Sequence, residues 1–275
     1  MKLIMTLLVK DEQDIIRENI EFHKSQGVDF FIVTDNRSTD DTSKILKKYE
    51  SQGILKYIYE EKYRDQSPWV TQMARMAYII YDADWIINND ADEFWWPQQG
   101  NLKETFQKIP AQYNLLRAQR HNFIPVHEYT PPFFRHMVYR EKISLNPIGK
   151  PLPAKVAHRG FEQIKVAPGN HMVDGIKNPR IFDGSIEIFH FPIRDYEQLV
   201  RKTVSIGEAY ERNKTQSDSI GIARRTVYKE YRRNGNTLQN YYSQKIYDKN
   251  RINKEIESGS IVEDSQLLEY FYSIF

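Results

Sequence analysis

The first hundred residues alternate between two patterns of apolar and polar positions. "KLIMTLLV" (2–9) is a continuous apolar run, the mark of a strand buried on both faces. "DEQDIIRENIEFHKSQG" (11–27) places Ile16, Ile20, Phe22 and His23 near helical spacing and stops at Gly27, as a helix does. "DFFIVTDN" (29–36) reads as a second strand and "ILKYIYEE" (54–61) as a third. Between them, "RSTDDTSKILKKYESQG" (37–53) opens with Ser, Thr and Asp caps and ends at Gly53, which predicts a helix. "SPWVTQMARMAYIIYDA" (67–83) carries Pro68 near its start and a helical apolar stripe. "DWIINND" (84–90) completes the series as a fourth strand. Strand starts near 2, 29, 54 and 84 fit βαβ units and a mostly parallel, Rossmann-like sheet flanked by helices.

In such a sheet ligands bind beyond the carboxyl ends of the strands. Three polar clusters fall there: Lys10-Asp11-Glu12, Asp35-Asn36-Arg37-Ser38 and Asn89-Asp90-Ala91-Asp92-Glu93. The last belongs to "DWIINNDADEFWWP" (84–97). Side chains two apart in an extended segment point the same way, so Asp90 and Asp92 repel unless a cation sits between them. A hard ion such as Mn²⁺ or Mg²⁺ suits oxygen ligands and would stabilise a diphosphate leaving group. The competing reading is a strand-end turn, where Asp and Asn are common. Position discriminates: Asp82-Ala83-Asp84 has the same spacing but precedes its strand, at the opposite end of the sheet. Trp95 and Trp96 suit either sugar rings or the core.

Residues 101–192 are proline-rich with short apolar runs, which predicts a mixed sheet extension with long loops; from Asp195 the pattern turns helical. Three blocks follow: a 1–100 βα half, a 101–194 acceptor-side part of the same domain, and a 195–275 helical appendage. No glycine-rich dinucleotide or Walker-type loop occurs, which disfavours an oxidoreductase or a P-loop kinase. Nor is there any cysteine, so disulfides and thiolate chemistry are excluded and a cytoplasmic home is allowed. No apolar run approaches the ~20 residues of a membrane span, and the N-terminus reads as a first strand, not a signal peptide. Charge is uneven: residues 1–100 hold 12 Lys+Arg against 18 Asp+Glu, and residues 101–275 hold 27 against 19. The basic portion suits an anionic partner, such as the inner membrane face, or is simply solvated. Nucleic acid is not an expected partner.

"LLVKDEQDIIRENIEFHKSQGVDFFIVTDNRSTDDT" and "DWIINNDADEFWWP" together resemble family-two-like glycosyltransferases of the GT-A fold, through a D-N-x-S-x-D-x-T element and a D-x-D-E-F element. "HFPIRDYEQLVRK" is similar to a later element of that group. The resemblance implies that Glu12 and Asp35, with Lys10, contact the nucleotide. Arg75 would reach the diphosphate, unless it is a surface arginine. Asp90 and Asp92 would flank the metal and the donor sugar, completed by His190 or, alternatively, His171. Asp92, Glu93 and Asp174 are candidate catalytic groups, with Glu162 and His171 also open as the base. The implied activity is metal-dependent transfer of a sugar from a nucleotide donor, UDP-linked, to a saccharide or lipid-linked acceptor in surface glycan synthesis. A sugar-phosphate nucleotidyltransferase and a non-catalytic saccharide-binding module are the alternatives.

Overall fold

The computed structural model describes residues 1–62, 66–127, 131–146, 149–212 and 222–274. The four expected strands are β1 (Leu3–Val9), β2 (Phe30–Asp35), β3 (Leu55–Tyr59) and β4 (Trp85–Asn89). Between them run α1 (Ile16–Ser25), α2 (Thr42–Ser51) and α3 (Gln66–Ile79). Gly27 and Gly53 follow α1 and α2 with φ of 89° and 72°, the left-handed geometry that makes glycine a helix stop. β1 pairs in parallel with both β2 and β4, and β2 in parallel with β3.

Beyond β4 come β5 (Glu93–Pro97), α4 (Leu102–Gln107), β6 (Leu115–Asn122), β7 (Tyr139–Glu141), β8 (Lys155–Arg159), β9 (Lys165–Val166), β10 (Val173–Asp174) and β11 (Ile181–His190). One eight-stranded sheet results, in the order β3-β2-β1-β4-β8-β6-β11-β5. The α/β class expected from the pattern is therefore present. Its parallel portion is β1 to β4, because β8 runs antiparallel to both β4 and β6.

β1 is buried at every position, as its unbroken apolar run requires. Ile4 and Leu8 lie with Ile32 and Ile86 against Trp69, Val70, Met73, Ala74 and Ala77 of α3. Leu3, Met5 and Leu7 alternate onto the other face. Each such side chain contributes about 1.5–3 kcal/mol by leaving water.

The chain forms two compact units, Met1–Arg120 with Pro153–Phe189, and His121–Leu152 with His190–Phe275. The second unit holds α5 (Tyr196–Arg212), α6 (Ile222–Arg233), α7 (Asn236–Lys245), α8 (Lys249–Glu257), β12 (Ile261–Glu263) and α9 (Gln266–Ile274). α5, α6 and α7 pack together. The α5–α6 approach needs a glycine, since a Cβ on Gly207 would fall 2.0 Å from Cγ of Tyr228. β12 pairs antiparallel with β7, and Arg140 Nε lies 2.6 Å from Asp264 Oδ2 beside that ladder. Among the described residues, no helix is long and apolar enough to cross a membrane.

Candidate active site

The site is assembled within the first unit, from loops that follow β1, β2 and β4. Asp11 and Arg37 adopt left-handed φ of 53° and 62°, which folds the first two loops toward each other. The Asp11 N–H donates to Ser38 Oγ at 3.0 Å, and Asp11 Oδ1 accepts from the Thr39 N–H at 2.6 Å. The Glu12 N–H donates to Thr42 Oγ1 at 2.9 Å. The loops after β1 and β2 thus form one hydrogen-bonded rim that carries Lys10, Glu12 and Asp35.

Asp35 ends β2 and is fully buried. Its Oδ1 accepts the Ser38 N–H at 2.9 Å, while Oδ2 accepts the Ser43 hydroxyl and, at 3.0 Å, the Tyr57 hydroxyl. Burial first, and the neighbouring Asp35 charge next among the raising influences, push the Tyr57 phenol above its ordinary pKa. Asp35 therefore shapes the rim through neutral donors. Arg75 on α3 donates its Nε to the Ile164 carbonyl at 2.9 Å, which straps α3 to the segment before β9.

The acidic turn lies between β4 and β5, closed by the Glu93 N–H donating to the Asp90 carbonyl at 3.1 Å. Helix α1 grips it from the side. Asn19 Nδ2 donates to the carbonyls of Ala91 and Glu93, both at 2.9 Å. One helical turn on, His23 Nε2 accepts the Trp95 backbone N–H at 3.1 Å while Nδ1 donates to the Asn19 carbonyl at 2.8 Å. That pattern requires a neutral ring, and burial lowers its pKa to about 3. The Trp95 indole donates to Asn89 Oδ1 at 2.9 Å. Trp95 is fully buried, and Trp96 stacks on Phe22 and Phe189 at 5.8 and 5.2 Å. Trp95 therefore takes the core role, and the half-buried Trp96 packs on core rings.

Charge gathers at the turn. Asp92 and Glu93 are buried, whereas the Asp90 side chain is 30% exposed. Lys155 Nζ lies 2.6 Å from Asp90 Oδ2 and 3.1 Å from Glu93 Oε1. Arg120 Nη1 lies 3.4 Å from the same Glu93 oxygen. The two cations come from the antiparallel strands. Lys155 on β8 is registered opposite Ala118 on β6, so Lys155, Ala118 and Arg120 share one face. Burial pushes the Glu93 carboxyl up to about 7, against the pull of Lys155 and Arg120. Asn170, buried and at φ of 59°, places Nδ2 3.4 Å from Asp90 Oδ1.

Sequence reading did not single out Lys155, Arg120, Asn170, Asn19 or His23 as site residues. The available signal was weak: alternation in "LLRAQRHN" marks a strand, but nothing marks which arginine turns inward.

The remaining candidates are placed as follows. His171 donates Nδ1 to the Ala154 carbonyl at 2.9 Å, which leaves Nε2 as the lone-pair nitrogen. Burial, followed by Lys155, lowers its pKa to about 4, with Arg120 and Asp90 also near enough to act on it. Glu162 and Asp174 are exposed, Asp174 on the short strand β10. His190 belongs to the second unit, where Nδ1 donates to Asn122 Oδ1 at 2.7 Å. Among the described residues, no three His, Cys, Asp or Glu side chains gather to hold a metal ion. Asp90 Oδ2 already faces an ammonium. The Asp92 carboxylate and the neutral His171 imidazole are of the donor type that a divalent ion takes.

Comparison with curated proteins finds no match. Among solved structures, Staphylococcus aureus TarS residues 1–349 in complex with UDP is 16% identical, with a TM-score of 0.43, covering 81% of this chain and 75% of that one. HddC from Yersinia pseudotuberculosis is 11% identical, with a TM-score of 0.40, over 74% and 99% of the two chains. Glucosyl-3-phosphoglycerate synthase from Mycobacterium tuberculosis, in complex with Mn²⁺, UDP and glucosyl-3-phosphoglycerate, is 17% identical, with a TM-score of 0.31, over 43% and 44%. Residues 4–159, more than half of the chain and all of the rim from β1 to Lys155, match glycosyltransferase family 92. The chain belongs to glycosyltransferase family 92 and is a glycosyltransferase.

Proposed function

We propose that this glycosyltransferase takes its sugar from a nucleotide donor, UDP-linked, and passes it to a saccharide or lipid-linked acceptor in surface glycan synthesis. One observation carries the reading. The acid turn Asp90-Ala91-Asp92 stands at the carboxyl end of β4, in the same unit and on the same sheet as the joined loops after β1 and β2, where an α/β sheet binds its ligand. Lys10 and Glu12 on the joined loops meet the nucleotide, and Asp35 acts through Ser38, Ser43 and Tyr57.

Asp92 would hold a divalent ion, Mn²⁺ or Mg²⁺, with His171 as the imidazole available in this unit. When bound, such an ion supplies charge that stabilises the departing diphosphate. Asp90, held by Lys155, faces the sugar end. The base must reach the acceptor hydroxyl. Asp174 is exposed on β10, whereas Glu93 is buried and paired with Lys155 and Arg120.

The basic stretch 201–254, with 13 Lys+Arg against 5 Asp+Glu, touches an anionic membrane surface from the periphery. Part of it, 213–221, lies outside the described residues.

A hydrolysis screen of UDP-, GDP- and ADP-linked sugars, with and without Mn²⁺, tests the donor assignment. Release of UDP that requires the metal is expected. Hydrolysis of none of them would sink the reading.

A further inference from the structure

The acid turn is held by a lysine with almost no access to solvent. Lys155 Nζ contacts Asp90 Oδ2 at 2.6 Å and Glu93 Oε1 at 3.1 Å, and its side chain is 1% exposed. Burying an ammonium costs several kcal/mol unless it is paired and hydrogen-bonded. Neutralising Glu93 alone does not call for it, since Arg120 also reaches Glu93 Oε1 at 3.4 Å. The shorter contact is to Asp90, the one acid of the turn with substantial exposure.

Asp90 is held on both oxygens. Lys155 takes Oδ2, and Asn170 Nδ2 stands 3.4 Å from Oδ1. Asn170 does so from a left-handed backbone at φ of 59°, a conformation that asparagine tolerates. Two buried acceptors of the cluster, Asn170 Oδ1 and Glu93 Oε2, have no hydrogen-bond partner among the described residues. Both atoms are shielded from solvent, so the acid of the turn that can meet a sugar is Asp90. The cluster therefore combines a fixed, part-exposed carboxylate with a buried ionic base.

We infer that Lys155 is a positioning residue for the sugar end of the donor, acting by clamping Asp90 and Glu93 together. This rests on the nucleotide-sugar reading and adds to it a residue from β8, outside the acid turn and the two joined loops. Lys155 touches no reacting atom; it fixes the direction in which Asp90 presents its carboxylate. Lengthening or neutralising that clamp leaves the nucleotide's binding intact and disturbs the sugar.

The test is a set of variants that separates positioning from charge balance. Lys155→Met keeps most of the length of the side chain and removes its charge. It is expected to lower the unfolding midpoint and to reduce kcat/KM for the best UDP-sugar of the screen by about 10–100-fold, the usual effect of losing an orienting partner. Affinity for UDP alone, by calorimetry, is expected to change by less than about twofold, an effect too small to register as a lost contact. Adding Glu93→Gln removes the buried carboxylate that is then left with Arg120 as its remaining cation. The double variant is expected to recover the midpoint and not kcat/KM, and Lys155→Arg to recover part of the activity. A double variant that regains wild-type kcat/KM, or that still fails to fold, overturns the inference. So does an equal loss of UDP and UDP-sugar affinity in Lys155→Met. Wild-type protein that turns over no nucleotide sugar overturns the donor reading, and this inference with it.

Discussion

Two carboxylate clusters on the same unit solve the same problem differently. At the end of β2, Asp35 is fully buried and satisfied by neutral donors, the Ser38 N–H and the hydroxyls of Ser43 and Tyr57. After β4, Asp90 and Glu93 are held by the ammonium of Lys155 and the guanidinium of Arg120. Neutral donors fix one carboxylate in a loop by their dipoles alone, with no second buried charge to expose when one of them is lost. Ionic partners keep opposed charges close in a low-dielectric setting, where removing one exposes the other. The first cluster builds shape. The second stores charge at the carboxyl end of β4.

The largest effect that sharpens this contrast is at Asp92. Asp92→Asn deletes charge at constant shape and is expected to cut turnover at least about 100-fold, several kcal/mol of charge stabilisation, with the melting temperature nearly kept. Near-normal turnover by that variant, or by wild type in excess chelator, removes the metal from the account.

Next comes Asp35→Ala, which strips the acceptor from three part-buried donors. A loss of about 3 kcal/mol in urea unfolding is expected, with weaker UDP binding. Ser43→Ala should cost only about 1 kcal/mol, because Tyr57 and Ser38 remain. Equal losses would mean the cluster is not graded as described.

Acid sensitivity gives a smaller effect. His23 is held neutral, its pKa lowered from 6.5 to about 3, and His158 to about 4, burial being the main cause in each. The unfolded chain then binds protons that the folded one does not. The stability that these two histidines contribute is complete above pH 6.5 and is lost as pH falls toward 3–4, by up to about 1.4 kcal/mol per pH unit for each histidine. In His23→Gln that slope should shrink by one histidine's share. An unchanged slope would mean that His23 does not carry it.

The smallest effect concerns the basic helices of the second unit. Arg225 lies over the Tyr210 ring at 4.5 Å, and Arg251 over Tyr247 at 3.6 Å. Tyr228 is buried against α5. Cations and aromatic rings thus partly satisfy each other, so weak, salt-sensitive co-sedimentation with anionic vesicles is the expected result. No binding at low salt would leave these helices as packing elements.

How much of this was legible in the sequence follows from how local each signal is. β1 to β4 and α1 to α3 were readable because an unbroken apolar run and a helical stripe are properties of one segment. The two D-x-D copies were separable for the same reason: Asp84 accepts the Lys2 N–H at the amino ends of β1 and β4, while Asp90 follows β4. The glycosyltransferase reading was legible too. It corresponds to family 92, where the motifs had suggested family two. The clamp was not legible. Lys155 and Arg120 meet Glu93 only because β8 pairs antiparallel with β6, and a linear pass gives no register. Nor could it show that His23, read as part of an apolar stripe, grips the turn through Trp95.

The central claim is that the loops after β1, β2 and β4 hold a nucleotide donor with a metal on Asp92. Calorimetric titration of UDP into wild type and Asp92→Asn, each with and without Mn²⁺, tests it most directly. The account predicts that Mn²⁺ strengthens UDP binding to wild type and makes no difference to Asp92→Asn. Binding equally strengthened by Mn²⁺ in both proteins, or no UDP binding by wild type at all, would contradict it.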